Sequence, residues 1–163
     1  MRTLDKDGRL LCELQGKIFE SSAAMYGTSS AVFVRRYMNS EYAARMDSPG
    51  ALDRPTDAHE AFEALNDEYG TSSYGSVTFS SDELFWMGYV YRLWAYVYEM
   101  SSRSVYRLCN VSELHSLYYA YHTLDPLNAV SRIMETKGLS VTEAQRLEAG
   151  VQLLRKIRSQ RIN

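Results

Sequence analysis

Arg92 is the residue whose type and setting most suggest chemistry: a lone guanidinium inside the apolar run Leu84 to Tyr98. An unpaired buried guanidinium costs several kcal/mol, so Arg92 must meet a carboxylate or open into a cleft. On a helix, Tyr89, Arg92, Tyr96, Glu99 and Arg103 fall three and four residues apart. That spacing sets the cation between aromatic faces, with Glu99 as its expected carboxylate. A structural salt bridge is the ordinary outcome of such a setting, and a binding cleft around Arg92 is the functional one.

Thirteen of the 163 residues are tyrosines, and eight of these lie between Tyr89 and Tyr121, beside Trp86 and Trp94. A phenol is apolar in body and polar at its tip, which suits either a core with hydroxyls at its rim or a recognition surface. Most of the rings are expected to fill the core and a few to anchor a partner. The expected partner-binding set is Arg92, Tyr96, Tyr118, Tyr121 and His122. Between Arg54 and Arg92 there is no Lys or Arg, while seven acids occur. Of these, Glu63, Asp67 and Glu68 are expected to steer a partner electrostatically.

Other constellations are weaker. His115 and His122 are seven apart and share a helix face, but no acid or thiol stands at a spacing that completes a metal site or a triad. Cys12 and Cys109 form no CxxC pair and read as buried free thiols. Arg54 and His59 fit the Arg-x4-His spacing of a class of helical ribonucleases, although Pro55 places Arg54 in a loop. Arg155, Lys156, Arg158 and Arg161 complement a helix C-terminus and are also able to touch phosphates. No catalytic residue, metal or cofactor is assigned from these patterns.

The segment Ser102 to Ile133 resembles a family of small helical proteins encoded beside ADP-ribosyltransferase-like toxins in Gram-positive anaerobes. The residues that carry it are Ser102, Ser104, Val105, Tyr106 and Leu117, then Tyr121-His122-Thr123-Leu124-Asp125. It covers about a fifth of the chain, and Leu124-Asp125-Pro126 departs from the glycine-containing turn of that family. The resemblance implies a bacterial, non-enzymatic partner protein of a toxin-antitoxin system, either an antitoxin or an accessory subunit.

The elements that must position these residues read as helices throughout. With a net charge of -2 and 45% hydrophobic residues, the chain has the material for one core and no broad attraction for nucleic acid or anionic lipid. The apolar run from Leu84 to Tyr98 is about 15 residues and contains Arg92, short of the ~20 that a bilayer requires. The amino terminus, Met1 to Asp7, has no secretory h-region, and a cytoplasmic protein is expected.

Asp7 is expected to cap a first helix that Gly27 ends, one of Thr28, Ser29 and Ser30 a second, and Ser40 a third. A loop follows at Pro49, Gly50 and Pro55, and then a helix from Thr56 to Gly70. Val77 to Phe79 is expected to be briefly extended. Ser80 and Glu83 have capping-box spacing at the head of a central, enclosed helix, on which Gly88 and Ala95 should let a neighbour approach closely. Helices are then expected over Ser102 to Cys109, Ser112 to Leu124 and Asp125 to Gly138. A last helix, opened by a Ser140–Glu143 box, is expected to bury Ala144, Leu147, Val151 and Leu154.

The expected fold is therefore a single all-α domain over 1–163, a bundle of seven or eight helices. The expected function is a non-enzymatic protein-interaction module that neutralises or scaffolds a toxin-like enzyme. Two alternatives are a helix-turn-helix nucleic-acid regulator built on Ser102 to Leu124 and a ribonuclease-like enzyme using Arg54 and His59.

Overall fold

Two long antiparallel helices, α1 (Lys6–Met25) and α5 (Ser81–Val97), form the most extensive contact in the molecule, and small residues allow it. A Cβ on Gly88 would stand 2.6 Å from the Gln15 carbonyl oxygen and 2.8 Å from Phe19 Cγ, so the two backbones meet where α5 has no side chain. On α1, Gly8 and Gly16 receive Tyr96 and Phe85 in the same way. Ala95, the other small residue expected to permit close approach, is buried as well.

The computed structural model describes residues 1–54, 56–139 and 141–161. Among the described residues are ten α-helices, one 3-10 turn and no strand. The others are α2 (Ser30–Met38), α3 (Glu41–Asp47), the 3-10 turn Ala51–Asp53, α4 (Ala58–Tyr69), α6 (Ser102–Leu108), α7 (Val111–Ser116), α8 (Tyr118–Tyr121), α9 (Pro126–Thr136) and α10 (Val141–Arg161). α5 is the most enclosed, with Leu84, Met87, Val90, Tyr91 and Trp94 wholly buried. The fold is all-α, as the periodicity implies.

Polar residues outside the helices set most of the boundaries. Ser29, Ser40, Asp57, Ser101, Asn110 and Asp125 each accept a backbone N–H from the first turn they precede. Ser80 and Glu83 form both hydrogen bonds of the capping box. The first helix departs from expectation: its cap is Asp5, whose carboxylate accepts the Gly8 N–H at 2.8 Å. Asp7 lies inside the first turn, where its charge faces the positive end of the helix dipole.

Two other expectations are corrected, and one expected segment is placed by its hydrogen bonds. The helix expected over Ser112 to Leu124 is broken at Leu117 into α7 and α8, because the backbone tightens there through Leu117 N–H to Leu114 O. Val77 to Phe79, expected to be briefly extended, lies outside every helix. Val77 O accepts the Ser30 N–H and the Phe79 N–H donates to Ser30 Oγ, which ties the segment to the head of α2. The final helix does not bury its apolar stripe: Leu147, Leu153 and Leu154 are more than half exposed and Ile157 is 41% exposed. The Ser140–Glu143 box and the side chain of Ala144 lie outside the described residues.

At the end of α5 the chain turns through Glu99, which has φ +54°, while the Met100 N–H bonds to Ala95 O at 3.0 Å. This is the Schellman closure, with glutamate where glycine is usual, and it takes Glu99 off the helical face that carries Arg92.

Trp94 has no exposed surface, so Trp94→Ala is expected to lose about 3–5 kcal/mol of stability in chemical denaturation. Gly88→Ala should lose about 1–3 kcal/mol by the same measurement, because the added methyl collides with backbone, which cannot rotate away.

Candidate functional site

Arg92 is 1% exposed and every arm of its guanidinium is engaged within the chain. Nε donates to Gln15 Oε1 at 2.9 Å, Nη1 to Asp47 Oδ1 at 2.6 Å and Nη2 to Ser102 Oγ at 3.1 Å. Gln15 also accepts the Tyr37 hydroxyl at 3.2 Å and donates from Nε2 to Gly88 O at 3.0 Å. The carboxylate expected from helical spacing is Glu99, seven residues on from Arg92, but the observed one is Asp47 at the end of α3. Sequence periodicity sees only neighbours along one helix, and this partner comes from another.

Asp47 serves two roles. Its Oδ2 accepts the Ser102 N–H at 2.8 Å and its Oδ1 accepts the Ser102 hydroxyl at 2.7 Å, so the carboxylate that neutralises Arg92 also satisfies the first N–H of α6. Burial pushes the Tyr37 phenol well above its ordinary range, and the phenol serves as a neutral donor. Burial likewise pushes both thiols, Cys12 and Cys109, up to about 12, which keeps them protonated at neutral pH.

This network floors a shallow cleft. One cavity of about 290 Å³ is lined by Arg2, Asp47, Arg92, Tyr96 and Glu99 among others. A second of about 310 Å³ shares Arg2, Asp47 and Tyr96 with it and extends to Asp53. The chain's own Arg2 lies over the Tyr96 ring at 4.1 Å, and the Tyr96 hydroxyl donates to Asp5 at 2.7 Å. Arg92 and Tyr96 are thus brought together, and both are already occupied by groups of this chain.

Tyr118, Tyr121 and His122 form a separate group on α8 and its C-cap. Trp86, buried in α5, meets Tyr118 edge-to-face at 5.6 Å. The His122 imidazole stacks on Tyr118 at 4.5 Å and its Nδ1 lies 2.8 Å from Tyr118 O. Tyr119 packs against Tyr118 at 5.5 Å and is 80% exposed. Tyr121 stands between a cavity of about 220 Å³, which Leu117 and Ile133 help to line, and a broader depression toward Arg132 and Glu135. Tyr119 was missed in the sequence because spacing alone does not tell which tyrosine of a run faces outward.

Beside this group the His115 ring stacks flat on Phe79 at 3.7 Å. Its Nε2 is 3.3 Å from Glu83 Oε1, close enough for an ion pair when the imidazole is protonated but not aligned as a hydrogen bond. Burial raises the Glu83 carboxyl, but the Ser80 N–H and His115 more than offset it and leave it below its ordinary value.

The three acids expected to steer a partner lie on α4. Glu63 pairs with His59 at 3.1 Å, Glu68 accepts the Glu41 N–H at 3.1 Å, and Asp67 is exposed. Among the described residues no hydrogen bond, ion pair or ring contact joins them to the aromatic group. His59 is exposed and engaged by Glu63, and among the described residues no hydrogen bond or ion pair joins it to Arg54. Comparison of the chain with protein-family models, curated proteins and solved structures finds no match.

Asp47→Ala should lose about 3–5 kcal/mol, because it leaves a buried guanidinium and the head of α6 without their acceptor. Asp47→Asn, which keeps the shape and one acceptor, should lose less in the same denaturation experiment. For Glu83 the folded-state pKa lies below the ordinary value of 4.5, so its contribution is present above that value and is lost as pH falls through the folded one. Glu83→Gln is therefore expected to flatten the stability profile in the acid limb below about pH 4.5 while leaving the neutral-to-alkaline limb parallel to wild type.

Proposed function

We propose that the chain is a non-enzymatic protein-interaction module whose contact face is the aromatic group of Tyr118, Tyr119, Tyr121 and His122. The observation that carries this reading is the 80% exposed Tyr119 ring beside the stacked Tyr118–His122 pair, itself seated on the buried Trp86. A large ring held by a rigid neighbour gives contact area at little entropic cost, and aromatic anchors dominate interface energetics. The neighbouring cavity beside Tyr121, with Leu117 and Ile133 on its walls, supplies an apolar recess of the kind a partner's side chain fills. The resemblance over Ser102 to Ile133 adds the partner class: a toxin-like enzyme of ADP-ribosyltransferase type, with this chain as antitoxin or accessory subunit. Arg92 enters this reading only indirectly, as the residue that holds α5 and α6 in place.

The α4 acids act on encounter. Exposed carboxylates change association rate and salt dependence and leave dissociation nearly unchanged.

Purification of the tagged full chain from its native host, with identification of what accompanies it, supplies the partner for the test. Tyr119→Ala and Tyr121→Ala should each weaken that complex by about 2 kcal/mol, near 30-fold, chiefly by faster dissociation. Joint neutralisation of Glu63, Asp67 and Glu68 should instead slow association and flatten its salt dependence. Unchanged affinity in folded tyrosine variants would remove the aromatic face from function, and a chain that retards nucleic acid with a steep salt dependence would replace this reading with a nucleic-acid binder.

A further inference from the structure

Among the described residues, the long helix that the bundle leaves uncovered is α10. It runs 21 residues, and its side chains Leu147, Leu153, Leu154 and Ile157 are 57%, 59%, 62% and 41% exposed, while Val151 is half-buried. At about 100° per residue these four, with Val151 and Gly150, occupy one broad face. Gly150 has no atom within 4 Å of where a Cβ would stand, so the middle of that face is open. The opposite side turns toward the molecule: Gln152, roughly half a turn from Gly150, lines the cavity above Arg92. The helix thus approaches its own bundle by a polar edge and carries its leucines outward.

In proteins most helical stability comes from packing of an apolar face and not from propensity, and this helix contains glycine and β-branched residues, so its apolar face needs a cover. The pattern of the face itself fits one cover. Leu147 and Leu154 are seven apart, as are Gly150 and Ile157, which is the a/d spacing of a helix pair. Set antiparallel against a second copy, Leu147 faces Ile157 of that copy and Gly150 faces its Leu154, and each layer recurs on the other side of a two-fold axis near Gln152. Val151 and Leu153 then flank the axis and meet their own counterparts. The bulky leucine falls into the gap that glycine leaves, so the face complements itself, as a two-fold interface requires.

Charge decides between the two orientations. The first half of the helix sequence holds Glu143, Arg146 and Glu148, a net charge of -1, and the second holds Arg155, Lys156, Arg158 and Arg161, a net charge of +4. A parallel pair sets cations against cations, whereas the antiparallel pair brings the basic half of each copy alongside the acidic half of the other. We infer that α10 is a homodimerisation helix, pairing antiparallel with α10 of a second copy through Leu147, Gly150, Leu154 and Ile157. This face shares no residue with the aromatic face assigned to a partner, so the two stand or fall separately.

The full chain should show a mass near twice 18.7 kDa in sedimentation equilibrium and dissociate on dilution, since four side chains per copy make a small interface. Leu154→Asp should weaken association by about tenfold or more with circular dichroism of the bundle retained, and Arg132→Asp, outside α10, should leave it unchanged. Orientation is read by mixing Leu147→Cys and Ile157→Cys chains under mild oxidation, where the native thiols are buried and do not compete. Cross-links between the two different variants support the antiparallel register, and cross-links confined to like variants overturn it. A chain that stays monomeric at all concentrations overturns the proposal. So does a chain that is monomeric alone but binds vesicles of phosphatidylserine and phosphatidylcholine through α10, which would make this helix a membrane-surface element.

Discussion

A buried guanidinium imposes a condition that much of this fold is arranged to meet. Removing Arg92 from water is tolerable only if its charge is neutralised and each of its nitrogens finds an acceptor, and the three acceptors come from three other helices. Gln15 fixes the register of α1 on α5, Asp47 fixes where α3 ends, and Ser102 fixes where α6 begins. A slip of one residue in any of these helices would leave a buried charge or a helix head unsatisfied. The network therefore specifies one arrangement among the many that a collection of amphipathic helices permits, whatever its net contribution to stability.

The α1–α5 pair makes that condition reachable. Gln15 bonds Arg92 directly because Gly88 allows the α1 backbone to approach α5 closely, and the Gln15 amide also bonds Gly88 O. The notches at Gly8 and Gly16, filled by Tyr96 and Phe85, keep the pair in contact over several turns. Close backbone approach and a buried polar network are thus two aspects of one interface.

The surplus of aromatic residues divides by burial. Phe19, Phe33, Tyr37 and Tyr91 pack edge-to-face in the core, where their quadrupoles favour that geometry. The rings of α8 extend the same packing outward from Trp86 until Tyr119 stands in solvent. A surface ring with such support is oriented by the core beneath it. The apolar face of α10 is of another kind, because it stands clear of the bundle and has no such foundation.

The sequence by itself determined the helices and most of their ends. Apolar residues at spacings of three and four, and a Ser or Asp ahead of them, act over a single turn, so Ser29, Ser40, Ser80 and Asp125 were legible as caps or cap candidates. It also determined that Arg92 needs a partner, since the cost of an unpaired buried charge does not depend on the fold. Only the tertiary structure decided that the partner is Asp47, 45 residues away, that Tyr119 is the exposed ring of its run, and that α10 turns its leucines outward. Each of those outcomes depends on which helix faces meet. Periodicity gives the width of an apolar face but carries no information about what lies opposite it.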